Sequence, residues 1–403
     1  MIPVPRSLRK IADIFDGGIY IVGGYVRNYL AFGSPLTTDV DICGKFTTEE
    51  IFSRLSSCAK VLPVNPRIGT LKIILDGDEY EYTTFRKDSY PIGGAHTPSQ
   101  VEFVDSVQED ALRRDFTVNA IYYDVKKNEI VDPVGGIKDL DEKIIKTVNG
   151  KKTFQEDGLR LLRAVRFAAS LGFELSPECF LWASSMATLL KDISSMRKRV
   201  ELELILTADD KYGVKDAHLK GLELMSDLGL FEYLSATEIH FDKSSFSVLQ
   251  YSPPNSRLDF FIRSAVLSND EDPKPYIRNL LTELSFPTKT IKEQIYLSEF
   301  WGVTKRKELI VLLAKRPDLA DRISALSRYN SFLICAKDVL GELIDKNVPL
   351  NVSELDVGGE DLVSLDIPKT ARSHALNRVL ETCLQEERRL TKDEQINLLK
   401  SFK

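Results

Sequence analysis

A chain of 403 residues is too long for a single hydrophobic core, so we predict roughly two to four domains. With 43% hydrophobic and 28% charged residues and a net charge of −6, the composition is typical of a globular protein and argues against indiscriminate nucleic-acid binding. Since no apolar run is long enough for a transmembrane helix and the N-terminus lacks the features of a signal peptide, we expect a cytoplasmic protein without a membrane partner.

The first 150 residues alternate between strand-like and helix-like segments, which predicts a mixed α/β region. A helix-like N-terminus leads into the strand-like IYIV, a Gly23-Gly24 turn and the helical segment YVRNYLAF. Further runs rich in β-branched and aromatic residues follow in the order DVDIC, TLKIILD, EYEYTTF, QVEFV and NAIYYDV. Asp76-Gly77-Asp78 lies between two of these runs and predicts a hairpin turn.

Beyond residue 150 apolar residues recur at helical spacing, as in EDGLRLLRAVRFAASLGF and HLKGLELMSDLGLFEYL, and strand-like patterns nearly vanish. We therefore predict an α+β fold in which a head with a mixed sheet precedes an all-helical remainder. The predicted domains are a catalytic head over residues 1–150, a helical neck over 151–235, and a helical body and tail over 236–403.

The first pattern that indicates a functional site is a glycine turn followed by two carboxylates at alternate positions. Gly23 and Gly24 let the backbone approach an anion closely, and the helix that follows presents free N–H groups to phosphates. Arg27, one turn into that helix, is placed to bind the same phosphates. Asp39 and Asp41 point to one face of a strand, where they can hold the divalent ions of an in-line phosphoryl displacement. The pattern predicts a metal-dependent nucleotide site.

This order and spacing resembles the signature of the polymerase β-like nucleotidyltransferases, in particular the class II branch that contains bacterial CCA-adding enzymes and bacterial poly(A) polymerases. The resemblance implies a nucleotidyltransferase head in which Asp39 and Asp41 are the catalytic Mg²⁺ ligands and the glycine turn and Arg27 contact the nucleotide. Asn28 departs from the family, which commonly has Asp there. We expect a structural hydrogen bond at this position, which Asn partly replaces.

A second segment, RRDFTVNA at residues 113–120, resembles a family motif that lies near the ribose and the triphosphate. Arg114 suits the charge of a Mg²⁺–triphosphate, and Asn119 suits the hydroxyl groups of the sugar. Taken without the resemblance, the segment is equally well the start of a surface helix with a capping Asp.

The segment EDGLRLLRAVRF, residues 156–167, resembles the family's E-D-x-x-R motif. Asp157 and Arg160 are three residues apart and therefore neighbours on one face of a helix, where the simplest interpretation is an exposed ion pair. However, a carboxylate and a guanidinium also match the amino group and ring nitrogen that cytosine and adenine share, and they mismatch guanine and uracil. The resemblance implies this base-reading role. We assign Arg163 and Arg166 to phosphate contacts or to salt bridges within the neck.

Residues 87–98, KDSYPIGGAHTP, have the glycines, prolines and polar residues of a flexible loop. In the family such a loop is implicated in switching from C to A addition, which favours complete CCA addition, although a plain hairpin loop is an equal alternative. The arginine-rich signature of poly(A) polymerases is absent after the Asp-x-Asp strand. Glu81 is either an auxiliary metal or water ligand or, as the better interpretation, a solvated strand glutamate.

Several other functions are less well supported by the sequence. The four histidines, none of which precedes Asp, argue against the phosphohydrolase domain of some family members, and the five scattered cysteines predict reduced thiols. The intact site residues argue against a tRNA-binding pseudoenzyme. The long helical remainder argues against transfer of a nucleotide to a small molecule.

We therefore expect an enzyme that adds C, C and A from CTP and ATP to the 3′ end of tRNA and releases pyrophosphate, with Mg²⁺ and without an obligate protein partner. An A-adding enzyme and a poly(A) polymerase are the alternatives. The body and tail are expected to hold the acceptor end, with Lys305-Arg306-Lys307 and Arg388-Arg389 as candidate phosphate contacts, although most such clusters are solvated faces.

Overall fold

The computed structural model describes residues 2–90, 98–239, 241, 246, 249–250, 252–266, 272–303, 305–327 and 336–401. The chain divides into two compact units, Met1–Phe241 with Glu283–Phe286 and Asp242–Thr282 with Pro287–Lys403. The three-part division expected from the sequence stays a prediction. None of the helices within the described ranges is long and apolar enough to cross a membrane.

All strands of the described residues belong to the first unit. They are β1 (Ile19–Val22), β2 (Val40–Gly44), β3 (Lys60–Asn65), β4 (Thr70–Leu75), β5 (Asp78–Thr84), β6 (Arg86–Ser89), β7 (Gln100–Phe103), β8 (Tyr122–Asp124), β9 (Glu129–Val131), β10 (Ile144–Ile145) and β11 (Glu174–Leu175). Seven of them form one sheet in the order β3-β4-β5-β2-β1-β8-β9. In this sheet β2 and β5 run parallel and the other neighbours run antiparallel, so the predicted mixed sheet is confirmed.

The strand predictions are correct for the buried strands and incomplete at the edges. Asp76 and Gly77 have positive φ angles of 54° and 89° between β4 and β5, as a tight hairpin turn requires. Two edge strands of the main sheet, β3 and β9, were not predicted. β3 is largely exposed and contains Pro63, so it lacks the apolar alternation of a half-buried strand. The predicted strand QVEFV contains β7, which pairs only with β6.

The helices of the first unit position the side chains of the head. They are α1 (Arg6–Ile14), α2 (Gly24–Phe32), α3 (Thr48–Leu55), α4 (Val107–Leu112), α5 (Gly136–Asp141), α6 (Lys152–Glu156), α7 (Leu159–Leu171), α8 (Pro177–Ser185), α9 (Ser195–Leu206), α10 (Ala208–Tyr212) and α11 (Ala217–Asp227). In α7 every residue except Arg163 and Arg166 is buried. Since these two arginines are three residues apart, they share one face of an otherwise enclosed helix.

The second unit is helical throughout its described residues, which completes the predicted α+β architecture. Beyond residue 250 the helices are α12 (Arg257–Val266), α13 (Pro273–Glu283), α14 (Thr288–Ser298), α15 (Arg306–Lys315), α16 (Ala320–Ser327), α17 (Ala336–Asp345), α18 (Gly359–Ser364), α19 (Arg372–Glu386) and α20 (Lys392–Lys400). Apolar residues of α18 to α20 form a core near the C-terminus. The four cysteines that the structure describes carry no disulfide, and Cys335 lies outside the described residues.

Gly136 at the start of α5 is a tight packing point between this helix and the short 3-10 turn Thr117–Asn119. A Cβ atom at Gly136 would lie 2.2 Å from the carbonyl oxygen of Thr117, which is backbone and cannot rotate away. We therefore expect Gly136→Ala to lower the free energy of unfolding by about 1–3 kcal/mol, measured by urea denaturation.

Gly341→Ala is the control for this substitution, because Gly341 lies inside α17 and an added Cβ meets no atom within 4 Å. This control should raise the stability of its own unit by about 0.5–1 kcal/mol. Wild-type stability of the Gly136→Ala variant would contradict the packing argument.

Candidate functional site

The glycine turn after β1 brings the backbone against a carboxylate. Gly23 has a φ angle of 76°, and a Cβ atom there would lie 3.8 Å from Oδ2 of Asp41. The helix α2 begins at the next residue without a side-chain cap, so its first N–H groups remain available to an anion. This geometry places phosphate donors and the carboxylate of Asp41 side by side.

Asp39 and Asp41 lie just before and within β2, and both are exposed. In the parallel register of β2 with β5, Asp41 stands directly opposite Glu81. Although Asp41 keeps an exposed surface, neighbouring protein atoms partly desolvate its carboxyl, and this desolvation and the negative charge of Glu81 raise its pKa, with Arg114 opposing the rise. Since like charges face each other here, Asp41 and Glu81 repel one another, and a cation bound between them would relieve this repulsion.

The donor set of these carboxylates fits a hard divalent cation that keeps several non-protein ligands. Among the described residues no group of three His, Cys, Asp or Glu side chains is close enough to enclose an ion. Asp39 and Asp41 would therefore contribute carboxylate oxygens, with substrate phosphates and water as further ligands, which is how Mg²⁺ is commonly held. The auxiliary role of Glu81 stays a prediction.

Arg27 is almost fully enclosed, with 2% of its surface exposed. Its guanidinium donates to Oδ1 of Asn28 at 2.8 and 3.1 Å, to Oδ1 of Asn119 at 2.5 Å and to the Tyr212 hydroxyl at 2.9 Å. Asn28 donates in turn to the carbonyl of Pro35 at 2.8 Å, which is the structural hydrogen bonding expected at this position. Arg27 thus joins α2 to the 3-10 turn and to α10.

Asp115 continues this network toward α7. Its Oδ1 accepts from the side-chain amide of Asn119 at 3.1 Å, and its Oδ2 accepts from Nε of Arg163 at 2.8 Å. Although burial alone would raise the pKa of Asp115, the Arg163 guanidinium and the Asn119 amide hold it well below its usual range. Arg166, on the same face of α7, donates to Glu201 at 2.7 Å. Of the salt bridges predicted within the neck, that of Arg166 is present, whereas Arg163 pairs most closely with Asp115 of the predicted head. Phosphate contacts of these arginines stay a prediction.

Arg114 is held by a buried carboxylate that sequence reasoning did not single out. Asp110 is completely buried and accepts from Arg114 at 3.1 Å, from Arg113 at 2.8 Å and from the Tyr122 hydroxyl at 2.8 Å. Burial would raise the pKa of Asp110, but Arg113, Arg114 and the Tyr122 hydroxyl lower it to about 2. In the sequence, Arg113 and Arg114 follow Asp110 by three and four residues, and this helical spacing could have predicted the ion pairs.

Asp110→Asn should therefore lower the free energy of unfolding by about 2 kcal/mol at neutral pH. Because the pKa of Asp110 is depressed in the folded state, its contribution is present above about pH 4 and is lost as the pH falls toward 2. Urea denaturation at pH 7 and at pH 2.5 measures both values. The difference between variant and wild type should shrink at the lower pH, and a difference that is constant with pH would contradict the ion-pair explanation.

The base-reading pair differs from its prediction in geometry. Asp157 is not helical, because it lies in extended conformation between α6 and α7, and its carboxylate accepts from Arg197 at 2.8 Å. Arg160 is 8% exposed and donates to Glu156 and Thr153 at 3.0 Å. The simpler interpretation, an exposed ion pair between Asp157 and Arg160 on one face of a helix, is therefore wrong, since each side chain is bound to a different partner. The base-reading role stays a prediction.

One cleft of about 480 Å³ collects most of the predicted site residues. Those that line it are Gly23, Gly24, Arg27, Asp39, Asp41, Arg114, Asn119, Arg163 and Arg166. Asp157 and Arg160 are not among its lining residues. Lys72, Glu79, Lys211 and Tyr212 also line the cleft and were missed. Alternation with Glu81 along β5 would have found Glu79, whereas nothing in the local sequence of α10 marks Lys211 or Tyr212.

Only the two ends of the loop proposed to switch nucleotide choice, residues 87–98, lie in the described ranges, and residues 87–89 belong to strand β6 rather than to a loop. Residues 91–97 lie outside the described ranges, and β6 and β7 on either side pair with each other. The role of the loop stays a prediction.

Comparison with known proteins identifies the family to which this chain belongs. A model described as "Poly A polymerase head domain" matches residues 19–146, and one described as "Probable RNA and SrmB- binding site of polymerase A" matches residues 172–236. A CCA-adding enzyme of Bacillus subtilis is 31% identical over 375 residues, which cover 89% of this chain and 88% of the relative. This chain belongs to the CCA-adding enzyme family. The class II resemblance and the nucleotidyltransferase prediction are thereby confirmed.

Two further comparisons agree with this membership. A CCA-adding enzyme of Geobacillus stearothermophilus is 38% identical over 235 residues, or 58% of this chain and 55% of the relative. The crystal structure of the Bacillus stearothermophilus CCA-adding enzyme in complex with CTP matches 98% of this chain and 97% of its own chain, with a TM-score of 0.77 and 24% identity. At that identity the structural match shows the fold, which is that of the family.

In the basic clusters predicted to contact tRNA, the arginines form ion pairs with carboxylates of the second unit. Arg306 pairs with Glu387 at 2.9 Å, and Arg388 pairs with Glu394 at 2.9 Å. Arg389 pairs with Asp356 at 2.8 Å. Since these arginines already have carboxylate partners, any contact with RNA phosphates stays a prediction.

Proposed function

We propose that this chain adds C, C and A to the 3′ end of tRNA, using CTP and ATP and no nucleic-acid template. The observation that carries the proposal is the cleft in which Asp39 and Asp41 face the glycine turn and Arg27, in a chain of the CCA-adding family. In the reaction the terminal 3′-hydroxyl oxygen forms a bond to the α-phosphorus of the nucleotide. The bond from the α-phosphorus to the oxygen that bridges it to the β-phosphate breaks, pyrophosphate leaves with the electron pair, and the hydroxyl proton passes to water.

Each part of the cleft has a role in this reaction. Asp39 and Asp41 would hold divalent ions, which we propose are Mg²⁺ and which lower the barrier by neutralising charge on the phosphates. The N-terminus of α2 and the lining arginines bind the triphosphate. Asn119 presents its amide beside the position proposed for the ribose. The buried Asp110 and Asp115 keep Arg114 and Arg163 in place, so that little reorganisation is needed when the nucleotide binds.

Asp157 and Arg160 would read the base once they leave their present partners. Arg197 holds the Asp157 carboxylate, and Glu156 holds the Arg160 guanidinium. In the proposed function the incoming cytosine or adenine replaces part of these interactions, because its amino group and ring nitrogen offer a matching donor and acceptor. Guanine and uracil would leave buried polar groups unpaired and would be rejected.

The test uses tRNA transcripts that end at the discriminator base, after C, and after CC, incubated with Mg²⁺ and CTP, ATP or both. Gel sizing should give two additions with CTP alone and a third only when ATP is present. Addition confined to the transcript ending in CC would indicate an A-adding enzyme, and long ladders with ATP alone would indicate a poly(A) polymerase. No addition to any transcript would contradict the proposal.

A further inference from the structure

The helix α10 forms a wall of the nucleotide cleft although it lies far from the head in sequence. The Tyr212 hydroxyl accepts from Nη2 of Arg27 at 2.9 Å. The Tyr212 ring stacks on Phe32, with ring centroids 5.5 Å apart and planes inclined by 16°. These two contacts fix the end of α10 to both ends of α2. As a result Lys211, the preceding residue, lines the cleft together with Asp41.

Lys211 differs from the other cations that line this cleft. Arg27 donates to three protein oxygens, and Arg114, Arg163 and Arg166 each pair with a buried carboxylate. Lys72 pairs with Glu79 at 2.7 Å. Within the ranges that the structure describes, the Lys211 ammonium has no carboxylate or hydrogen-bond partner, and it lies 5.6 Å from the centre of the Tyr212 ring. Lys211 can therefore take an anion without first giving up an ion pair.

The position of Lys211 indicates which anion it meets. Lys211 lines the same cleft as Asp39 and Asp41, so its ammonium belongs to the site of the proposed metal-binding carboxylates. A nucleoside triphosphate bound to metal ions at Asp39 and Asp41 carries its phosphates into this region, and a lysine ammonium is a common point-charge ligand for phosphate. The base lies elsewhere in the proposed function, because Asp157 and Arg160 do not line the cleft.

We propose that Lys211 is a binding residue for the phosphates of the incoming nucleotide, positioned by the anchoring of Tyr212 to Arg27 and Phe32. This inference rests on the proposed function, since it assigns a further ligand to the same nucleotide. Because CTP and ATP share the triphosphate, Lys211 contributes equally to the binding of both. It does not take part in base choice.

The test compares Lys211→Ala with Lys211→Arg and with the control Lys215→Ala. Lys215 is exposed in the same segment, is absent from the cleft lining and reaches only Asp216 at 4.0 Å. Isothermal titration of CTP and of ATP with Mg²⁺, without RNA, should show about tenfold weaker binding for Lys211→Ala. Lys211→Arg should restore most of the affinity, and Lys215→Ala should bind like wild type. The loss should be smaller at high salt, because a charge–charge contact is screened.

Three results would overturn the inference. If Lys211→Ala bound both CTP and ATP with affinities within twofold of wild type, Lys211 would not be a binding residue for the nucleotide. A loss for CTP but not for ATP would indicate a base contact. A loss confined to binding of the tRNA transcript, titrated separately without nucleotide, would assign Lys211 to an acceptor phosphate. The proposed function fails separately, because it is judged by products formed on tRNA, whereas this inference is judged by nucleotide binding without RNA.

Discussion

Asp41→Asn is expected to reduce nucleotide addition at least about 1,000-fold, which corresponds to about 4 kcal/mol of transition-state stabilisation. The amide keeps the size of the side chain but removes the negative charge that would hold the divalent ion. The single-turnover rate of C addition, measured at saturating Mg²⁺ and CTP, gives the effect on the chemical step. Asp39→Asn should act in the same direction.

The same substitution should leave the protein folded and slightly more stable. The pKa of Asp41 is raised in the folded state, so its ionised form opposes folding once the pH is above that pKa. Asn removes this repulsion from Glu81, and the thermal midpoint without divalent ions should equal or exceed that of wild type. Asp76→Asn, in the β4–β5 turn, is the matched control and should keep full activity. An Asp41→Asn variant that adds nucleotides at a normal rate would rule out the metal assignment.

Arg160→Ala is expected to relax base choice by about 10- to 100-fold, measured as the ratio of kcat/KM for CTP to kcat/KM for UTP and for GTP. The reason is that the guanidinium is proposed to donate to the ring nitrogen on the base-pairing edge, which accepts a hydrogen bond in cytosine and adenine but carries a hydrogen in guanine and uracil. The value of kcat/KM for CTP should fall by a smaller factor than the ratio that measures base choice. If incorporation of UTP and GTP stays negligible in this variant, the base-reading hypothesis is wrong.

A control is needed because Arg160 also has a structural role. Its removal leaves the buried Glu156 without its 3.0 Å partner, which should lower stability by about 3 kcal/mol or more. Glu156→Gln breaks the same ion pair while keeping the guanidinium. We expect this variant to lose stability, measured by urea denaturation, and to retain its base choice. Relaxed base choice in Glu156→Gln would indicate that positioning of Arg160, rather than its mere presence, sets the specificity.

The sequence predicts the parts of this site that depend on local geometry. Gly23 and Gly24, the alternation of Asp39 and Asp41, and the helical spacing of Arg163 and Arg166 are all set within a few residues. These patterns determine which face of a strand or helix a side chain occupies, so they placed the residues in one cleft. The resemblance to a family supplied the roles of the residues, which spacing alone does not give.

What the sequence does not predict depends on contacts between distant segments. Asp157 is extended, and the next residue, Gly158, packs so tightly that a Cβ there would lie 2.7 Å from the carbonyl oxygen of Leu189. The partner of Asp157 is Arg197, forty residues away in sequence. Lys211 and Tyr212 reach the cleft through Arg27, which precedes Tyr212 by 185 residues. No local pattern encodes such pairings.

The hydrogen-bonded series Arg27–Asn119–Asp115–Arg163, with Tyr212 bound to Arg27, sets a lower limit on the size of a working catalytic fragment. A truncation at residue 150 would keep the carboxylates and the glycine turn. It would also strip Arg27 and Asp115 of partners and remove one side of the nucleotide cleft. We therefore expect the predicted head to need residues beyond 150 for nucleotide binding, and a shortened chain that still binds CTP to extend past Tyr212.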